Sequence, residues 1–434
     1  MKRTDPLSTG LAVLDMAQEG RFAEIRAMFA PPQRTRLSAE GIRASWAEAF
    51  GRHGPVLSVG VPVVEPTEAG VVAVTIPVAC EREKLTIVVS VDDAGRLVNI
   101  QVTPVVEPWQ PPAYADPDSF DEQEVTVGSG PLAVTGTLSL PRRPGPNPAV
   151  VLLGGGGPFD RDMTMGRNKP GKDLAWGLAS RGVAVLRFDK VTHTHRGQVA
   201  KIPGFTAGDE YLPHAVAAVR LLRRHPAVNP ALVFALGHSM GATFAPRVAA
   251  AEPSLAGLIL LAAQAQPMHR AAVRVIRYLA ALNPDADAAA AAVETISRQA
   301  QRVDSPDLSP ATPASELPFG FPAPYWLDLR GYDPVATAAT LDKPMLILQG
   351  GRDYQVTVAD DLARWQASLA DRPQVTLRIH ESDNHLFFPG AGPSTPAEYE
   401  PAQHVDPTIV ADIVDWLTSV SPALEAHQRL PQRG

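Results

Sequence analysis

The 434-residue chain has one cysteine, Cys80, which excludes an internal disulfide. It ends an apolar stretch and reads as a buried bystander rather than a nucleophile. Basic residues are too few to favour nucleic acid: 39 Lys and Arg against 46 Asp and Glu leave a net charge of -7. No apolar run is long enough to span a bilayer. The charged start Met1-Lys2-Arg3 is followed by no apolar segment of secretory type. The chain therefore reads as cytoplasmic, with neither nucleic acid nor membrane as a partner. The Walker lysine and its Ser/Thr are missing, as is a ribose-binding acid, which sets nucleotides aside. What remains is ordinary for a globular protein, 45% apolar and 20% charged, and long enough to predict two domains.

Residues 1–103 predict a small α+β domain. Leu11, Leu14, Phe22, Ile25 and Phe29 have helical spacing, and Ser38 caps a third helix reaching Phe50. Strand-like runs follow at 56–64, 71–78, 85–91 and 97–102, with hairpin turns at 65–70 and 92–95. Residues 104–121 form a Pro-rich linker. Trp109 and Tyr114 either pin it to a domain or leave it a solvated spacer; composition does not choose. From residue 122 to 434 the pattern changes. An initial hairpin (124–129, 133–140) gives way to apolar strands near 149–153, 183–187, 232–236, 255–262, 344–348 and 375–379, alternating with helices. Strands apolar throughout and separated by helices predict a mostly parallel sheet covered on both faces. A segment at about 265–340 interrupts the alternation with two helices and a Pro-rich stretch, as a cap over a pocket would.

The chemistry starts at Gly237-His238-Ser239-Met240-Gly241. An apolar strand precedes it and a helical run follows, the setting of a nucleophile elbow. A serine hydroxyl needs a base, and the base an orienting carboxylate. On this architecture the order should be Ser, then Asp or Glu, then His, each after a strand. Asp353 follows the strand Met345-Leu346-Ile347-Leu348 and is the carboxylate candidate; Thr357 is left to cap the next helix. Asp360 and Asp361 read as surface. Of eleven histidines, only His385 is both downstream of the two partners and in a turn after a strand. His238 is expected to pack beside the elbow. The oxyanion needs N–H donors: one from Met240, the other from Gly154-Gly155-Gly156-Gly157, the loop after 149–153. Phe159, Tyr325, Trp326 and Phe387 are candidate pocket walls. No metal or organic cofactor is needed for this chemistry.

These residues resemble the α/β-hydrolase superfamily, and within it the bacterial serine esterases near the dienelactone hydrolase and prolyl-oligopeptidase-like groups. The resemblance covers about 122–420. It is carried by 155–162, Asn168-Lys169-Pro170, Asp173-Leu174-Ala175-Trp176, Arg187-Phe188-Asp189-Lys190, the elbow, Tyr325-Trp326-Leu327-Asp328, and Asp353 with His385. It implies a Ser239, Asp353, His385 triad with the amides of Gly156 and Met240 as the oxyanion hole. The N-terminal part resembles a cystatin/NTF2-like domain often fused to these hydrolases. One departure stands out. Relatives commonly carry His-Gly where this chain has Gly154, so the loop lacks its usual anchor. Asp160, Arg161 and Asp162 read as an ionic clasp for it, and Asp189 and Lys190 as structural.

The expected function is hydrolysis of small or medium carboxylic esters, or a related thioester, through an acyl-serine. The rival keeps the triad and changes the reaction, with the acyl-enzyme passing to an amine or alcohol or the base driving an elimination: a thioesterase, acyltransferase or lyase of a biosynthetic pathway. A third reading is a non-catalytic binding protein on the same scaffold. The N-terminal domain is expected to dock on the hydrolase or to mediate a homodimer.

Overall fold

The computed structural model describes residues 5–421, apart from residues 36, 52, 68–70, 105–108 and 283–284. The chain divides into two compact units, Met1–Glu107 and Pro108–Gly434.

The first unit packs helices on one face of an antiparallel sheet. Asp5 caps the first helix, Pro6–Gln18, by accepting from Ser8 N. Phe22–Met28 and Ala39–Gly51 follow, the latter with Ser38 Oγ accepting from Gly41 N. The strands are β1 (Val56–Val59), β2 (Val63–Pro66), β3 (Val71–Cys80), β4 (Lys84–Asp92) and β5 (Leu97–Pro104). The run expected as one strand at 56–64 is broken in two. Gly60-Val61-Pro62 separates the pieces, Pro62 having no N–H to give a ladder, yet both pair with β3. The turn expected at 65–70 lies partly outside the described residues. Val74, Ile76 and Val78 alternate inward with Leu85, Ile87 and Val89 against Val13, Leu14 and Ile25. Cys80 joins this core, and burial pushes its thiol up.

The second unit is built on eight strands: β6 (Phe120–Val127), β7 (Val134–Pro141), β8 (Asn147–Leu153), β9 (Ala184–Phe188), β10 (Val228–His238), β11 (Leu258–Leu261), β12 (Met345–Gly350) and β13 (Val375–His380). Their order is β13-β12-β11-β10-β8-β9-β7-β6. Only β7 is reversed, antiparallel to both its neighbours β6 and β9, and β8 to β13 are mutually parallel. Alternation sorts the two faces. Leu258, Leu260 and Ile347 pack towards helices Ala207–Arg224 and Met240–Ala251. Ile259, Leu261, Leu346 and Leu348 pack towards Pro170–Ala179 and Pro407–Val420. This is the α/β-hydrolase architecture. Between β11 and β12 the chain leaves the sheet for helices Met268–Leu282, Ala286–Asp304 and Ala323–Arg330. Among the described residues, no helix is long and apolar enough to cross a membrane.

The stretch expected as a linker is tied down where it is described. Trp109 Nε1 donates to Asp173 Oδ1 at 2.9 Å, and its ring meets Trp176 edge-on at 5.0 Å. Lys172 Nζ lies 4.5 Å from its centroid. Tyr114 lies against Gly177, where a Cβ would come within 2.8 Å of its ring. Of the two readings for these aromatics, the structure shows the pinned one. Trp109→Ala should therefore destabilise the protein by about 1–3 kcal/mol through lost packing and one lost bond to a buried carboxylate. Urea unfolding of the full chain measures this, and an unchanged midpoint would refute the tether.

Candidate active site

The sheet order creates the site. The chain leaves β8 towards β9 on one side, while β10 pairs on the other, so loops diverge at the carboxyl ends of β8 and β10. The register Gly237↔Leu153 brings the Gly154–Gly157 loop beside the elbow. Ser239 has φ 54 and ψ -121, a conformation that side chains rarely adopt. The residues two positions to either side, Gly237 and Gly241, must be glycine. A Cβ on Gly237 would lie 2.4 Å from the amide nitrogen of Ala242, and one on Gly241 would lie 2.2 Å from the carbonyl oxygen of Leu153. Helix Met240–Ala251 starts immediately after the serine.

Asp353 and His385 meet after β12 and β13. His385 Nδ1 donates to Asp353 Oδ2 at 2.7 Å. The same carboxylate accepts from Gln355 N at 2.7 Å, Val356 N at 2.9 Å and Gln349 Nε2 at 3.3 Å. Thr357, not Asp353, caps the following π-helical turn through Asp360 N. His238, buried beside Ser239, donates from Nε2 to the His385 carbonyl at 2.8 Å. Burial, with His385 close by, lowers its pKa to about 4, so the ring is neutral at working pH. That bond fastens the His385 loop to the elbow.

Ser239 and His385 line one cavity of about 460 Å³, with Gly155, Gly156 and Met240 in its wall. Phe159 and Tyr325 line it too. Trp326 and Phe387 do not, which corrects both expectations. Successive helical residues diverge by about 100°, so Tyr325 faces the cavity while Trp326 is wholly buried among Val303, Leu308 and Leu317. Phe387 has φ 58, and this turn sends its ring into the core while Leu386 takes the wall. Met163, Met165, Met240 and Met268 complete a mainly apolar, adaptable surface.

Ion pairs brace the site from behind. Arg161 grips Asp189 at 2.9 Å, and Asp162 binds Arg187 and Lys169, both at 2.9 Å. Asp160 instead closes its own turn through Thr164. Asp361 corrects the surface reading: it is wholly buried and accepts from Ala265 N, Gln266 N and Arg274. Sequence reasoning missed Tyr211, which carried no signal, and gave Lys190 no contact. Both reach the glycine loop, Lys190 Nζ at 2.9 Å and Tyr211 Oη at 2.9 Å from the Gly155 carbonyl.

Two outcomes follow from this geometry. Gly241→Ala should cost more than about 3 kcal/mol, because the clash is with backbone. Gly197→Ala, whose Cβ meets nothing within 4 Å, should be near neutral, and thermal melts of the pair test the contrast. Asp383 is buried, and burial, reinforced by Asp406, pushes its carboxyl up to about 6. A folded pKa above the ordinary value means that stability is lost as pH rises from about 4 to about 6, with the full cost of ionisation present above that. Asp383→Asn should raise Tm by about 2–5 °C above pH 7, with the gain fading towards about pH 4. A pH-independent difference across scanning fluorimetry would contradict this.

The family model described as serine aminopeptidase, S33 (Hydrolase_4), matches residues 171–388. Esterase EstD of Thermotoga maritima is 34% identical over 339 residues, covering 78% of this chain and 77% of that protein. 2,6-Dihydropseudooxynicotine hydrolase of Paenarthrobacter nicotinovorans is 29% identical over 154 residues, 36% of this chain and 38% of that protein. Among solved structures, the Pyrococcus furiosus esterase PF2001 superposes with a TM-score of 0.42 at 16% identity, covering 72% of this chain and 97% of that one. The match to half of this chain, and the kinship with EstD along most of both chains, establish that the protein belongs to the Hydrolase_4 family of α/β-hydrolases.

Proposed function

We propose that Ser239 is the nucleophile of a carboxylesterase, with His385 as its base and Asp353 orienting the imidazole. The observation that carries this is the 2.7 Å bond between His385 Nδ1 and Asp353, with the imidazole and the strained Ser239 in one cavity. With Nδ1–H held by the carboxylate, Nε2 is free to take the serine proton. Ser239 Oγ attacks the ester carbonyl and the oxygen becomes an anion. The main-chain N–H groups of Met240 and Gly156 receive that charge. The proton on His385 passes to the departing alcohol. Water then repeats the sequence on the acyl-serine and frees the acid.

The cavity volume is in the range of small-molecule sites, and its walls are mainly apolar. This favours esters with small or medium acyl groups. Among the described lining residues there is no Asp or Glu. A free α-ammonium group would find no carboxylate there, which argues against aminopeptidase action despite the description of the family model.

The test is a panel of p-nitrophenyl esters, matched thioesters and aminoacyl p-nitroanilides, run on wild type and Ser239→Ala. Esters should turn over with a release burst, and Ser239→Ala should lose about 10⁴-fold in kcat/KM. Acylation without turnover would favour the transferase reading, and anilide cleavage alone would favour a peptidase. Activity surviving in Ser239→Ala would remove the assignment.

A further inference from the structure

One buried charged group has no part in the chemistry above. Lys190 follows β9 and is 5% exposed. Its ammonium spends all three N–H bonds: on the Gly155 carbonyl at 2.9 Å, on Tyr211 Oη at 2.8 Å and on Glu210 Oε1 at 3.1 Å. Tyr211 in turn donates towards the Gly155 carbonyl at 2.9 Å and lies 3.2 Å from that of Gly154. The Gly155 oxygen thus carries two donors.

That has a geometric consequence. In a trans peptide the C=O of one residue and the N–H of the next point in opposite directions. Fixing the Gly155 carbonyl on Lys190 and Tyr211 therefore aims the Gly156 N–H the other way. The cavity lies against Gly156. The loop itself sits on the elbow: ideal Cβ positions on Gly155 and Gly156 fall 3.4 Å from Ser239 Cβ and Met240 Sδ. A peptide between two glycines has little conformational preference of its own. Flipped, it would present a carbonyl oxygen to the developing oxyanion. Nothing within the glycine run prevents this, because the run has no side chains.

The clamp reaches the substrate wall. Glu210 Oε1 also accepts from Thr192, and its Oε2 accepts from Tyr325 Oη at 2.7 Å. Tyr325 belongs to the segment between β11 and β12 and lines the cavity. Burial pushes the Lys190 ammonium down from its ordinary range, against the pull of Glu210. A buried ion pair is a poor source of stability compared with apolar packing, so its presence here calls for another reason.

We propose that Lys190, together with Tyr211, is a positioning residue of the oxyanion hole. It locks the Gly155–Gly156 peptide with its N–H turned to the substrate's acyl oxygen. This gives the glycine run an anchor from outside, and Glu210 links it to the pocket wall at Tyr325. The inference rests on reading Ser239 as nucleophile and Gly156 as donor.

The experiment compares Lys190→Met and Tyr211→Phe with wild type in the full chain. Tyr211→Phe keeps the ring stacked on Phe244 at 4.7 Å and so decides the matter where Lys190→Met does not fold. Three quantities are read on p-nitrophenyl butyrate: kcat, KM and inhibition by an alkyl trifluoromethyl ketone, which forms an oxyanion on serine. Melting temperature is followed in parallel. Expected are losses in kcat of about 100-fold for Lys190→Met and about 10-fold for Tyr211→Phe, with KM within about threefold. Ketone affinity should weaken by the same factors. Folded variants whose kcat and ketone affinity stay within about twofold of wild type, whatever their melting temperature, would overturn the proposal. Fluorophosphonate labelling of wild type separates the two levels: an unlabelled Ser239 overturns the nucleophile assignment itself, and this inference with it.

Discussion

Two stretches of main chain lie closer together here than side chains would allow, and the site depends on that approach. The end of β8 and the start of the helix after β10 touch at Leu153, Gly154 and Gly241, where a single methyl group would lie 2.2 Å from a carbonyl oxygen. Only this contact lets amides from two separate strands share one cavity. It also explains the strain at Ser239: the chain must turn within one residue to start a helix against its neighbour's loop. Other residues in the left-handed region gather nearby. Met163 and Phe319 join Ser239 in the cavity wall, and Ala262 and Phe387 follow the strands β11 and β13. Rigid packing around them holds conformations that a free chain would avoid.

A site made of glycine backbone cannot orient itself, so orientation comes from outside. Buried charge does this work. Arg161 with Asp189, Asp162 with Arg187, and Lys190 with Glu210 all reach into one short loop region from β9 and the helix beyond. On the opposite side His238 fastens the His385 carbonyl, and four donors surround Asp353. The polar framework is specific and tightly satisfied, whereas the substrate side is apolar and rich in flexible methionine. The combination suits an enzyme that fixes the reacting carbonyl and tolerates variation in what is attached to it.

Much of the fold was legible because its signals are local. Continuous apolar runs marked the buried strands β8, β11 and β12, and alternation marked those of the first unit. Ser38 and Thr357 announced their caps. Gly60 and Pro62 mark the break in composition too, but Val56 to Val64 is otherwise apolar enough to read as one strand. Trp326 and Phe387 were misplaced for different reasons. Helical phase decides the first, and it depends on distant partners, Glu210 for Tyr325 and Val303 with Leu308 and Leu317 for Trp326. The second turns on a left-handed residue that is not glycine, for which sequence gives no sign.

The chain by itself determined the chemical parts and their order: a small-residue elbow after a buried strand, a glycine run after another, then an aspartate, then a histidine. These follow from needs met within a few residues, such as room at a turn or burial of an apolar run. Tertiary structure alone decided how the parts are held. His238 meets His385 across 147 positions, Tyr211 meets Gly155 across 56, and Lys190 meets it across 35. Such contacts depend on which strands become neighbours. The placing of β8 between β9 and β10 is a property of the folded sheet and is written in no local stretch of sequence.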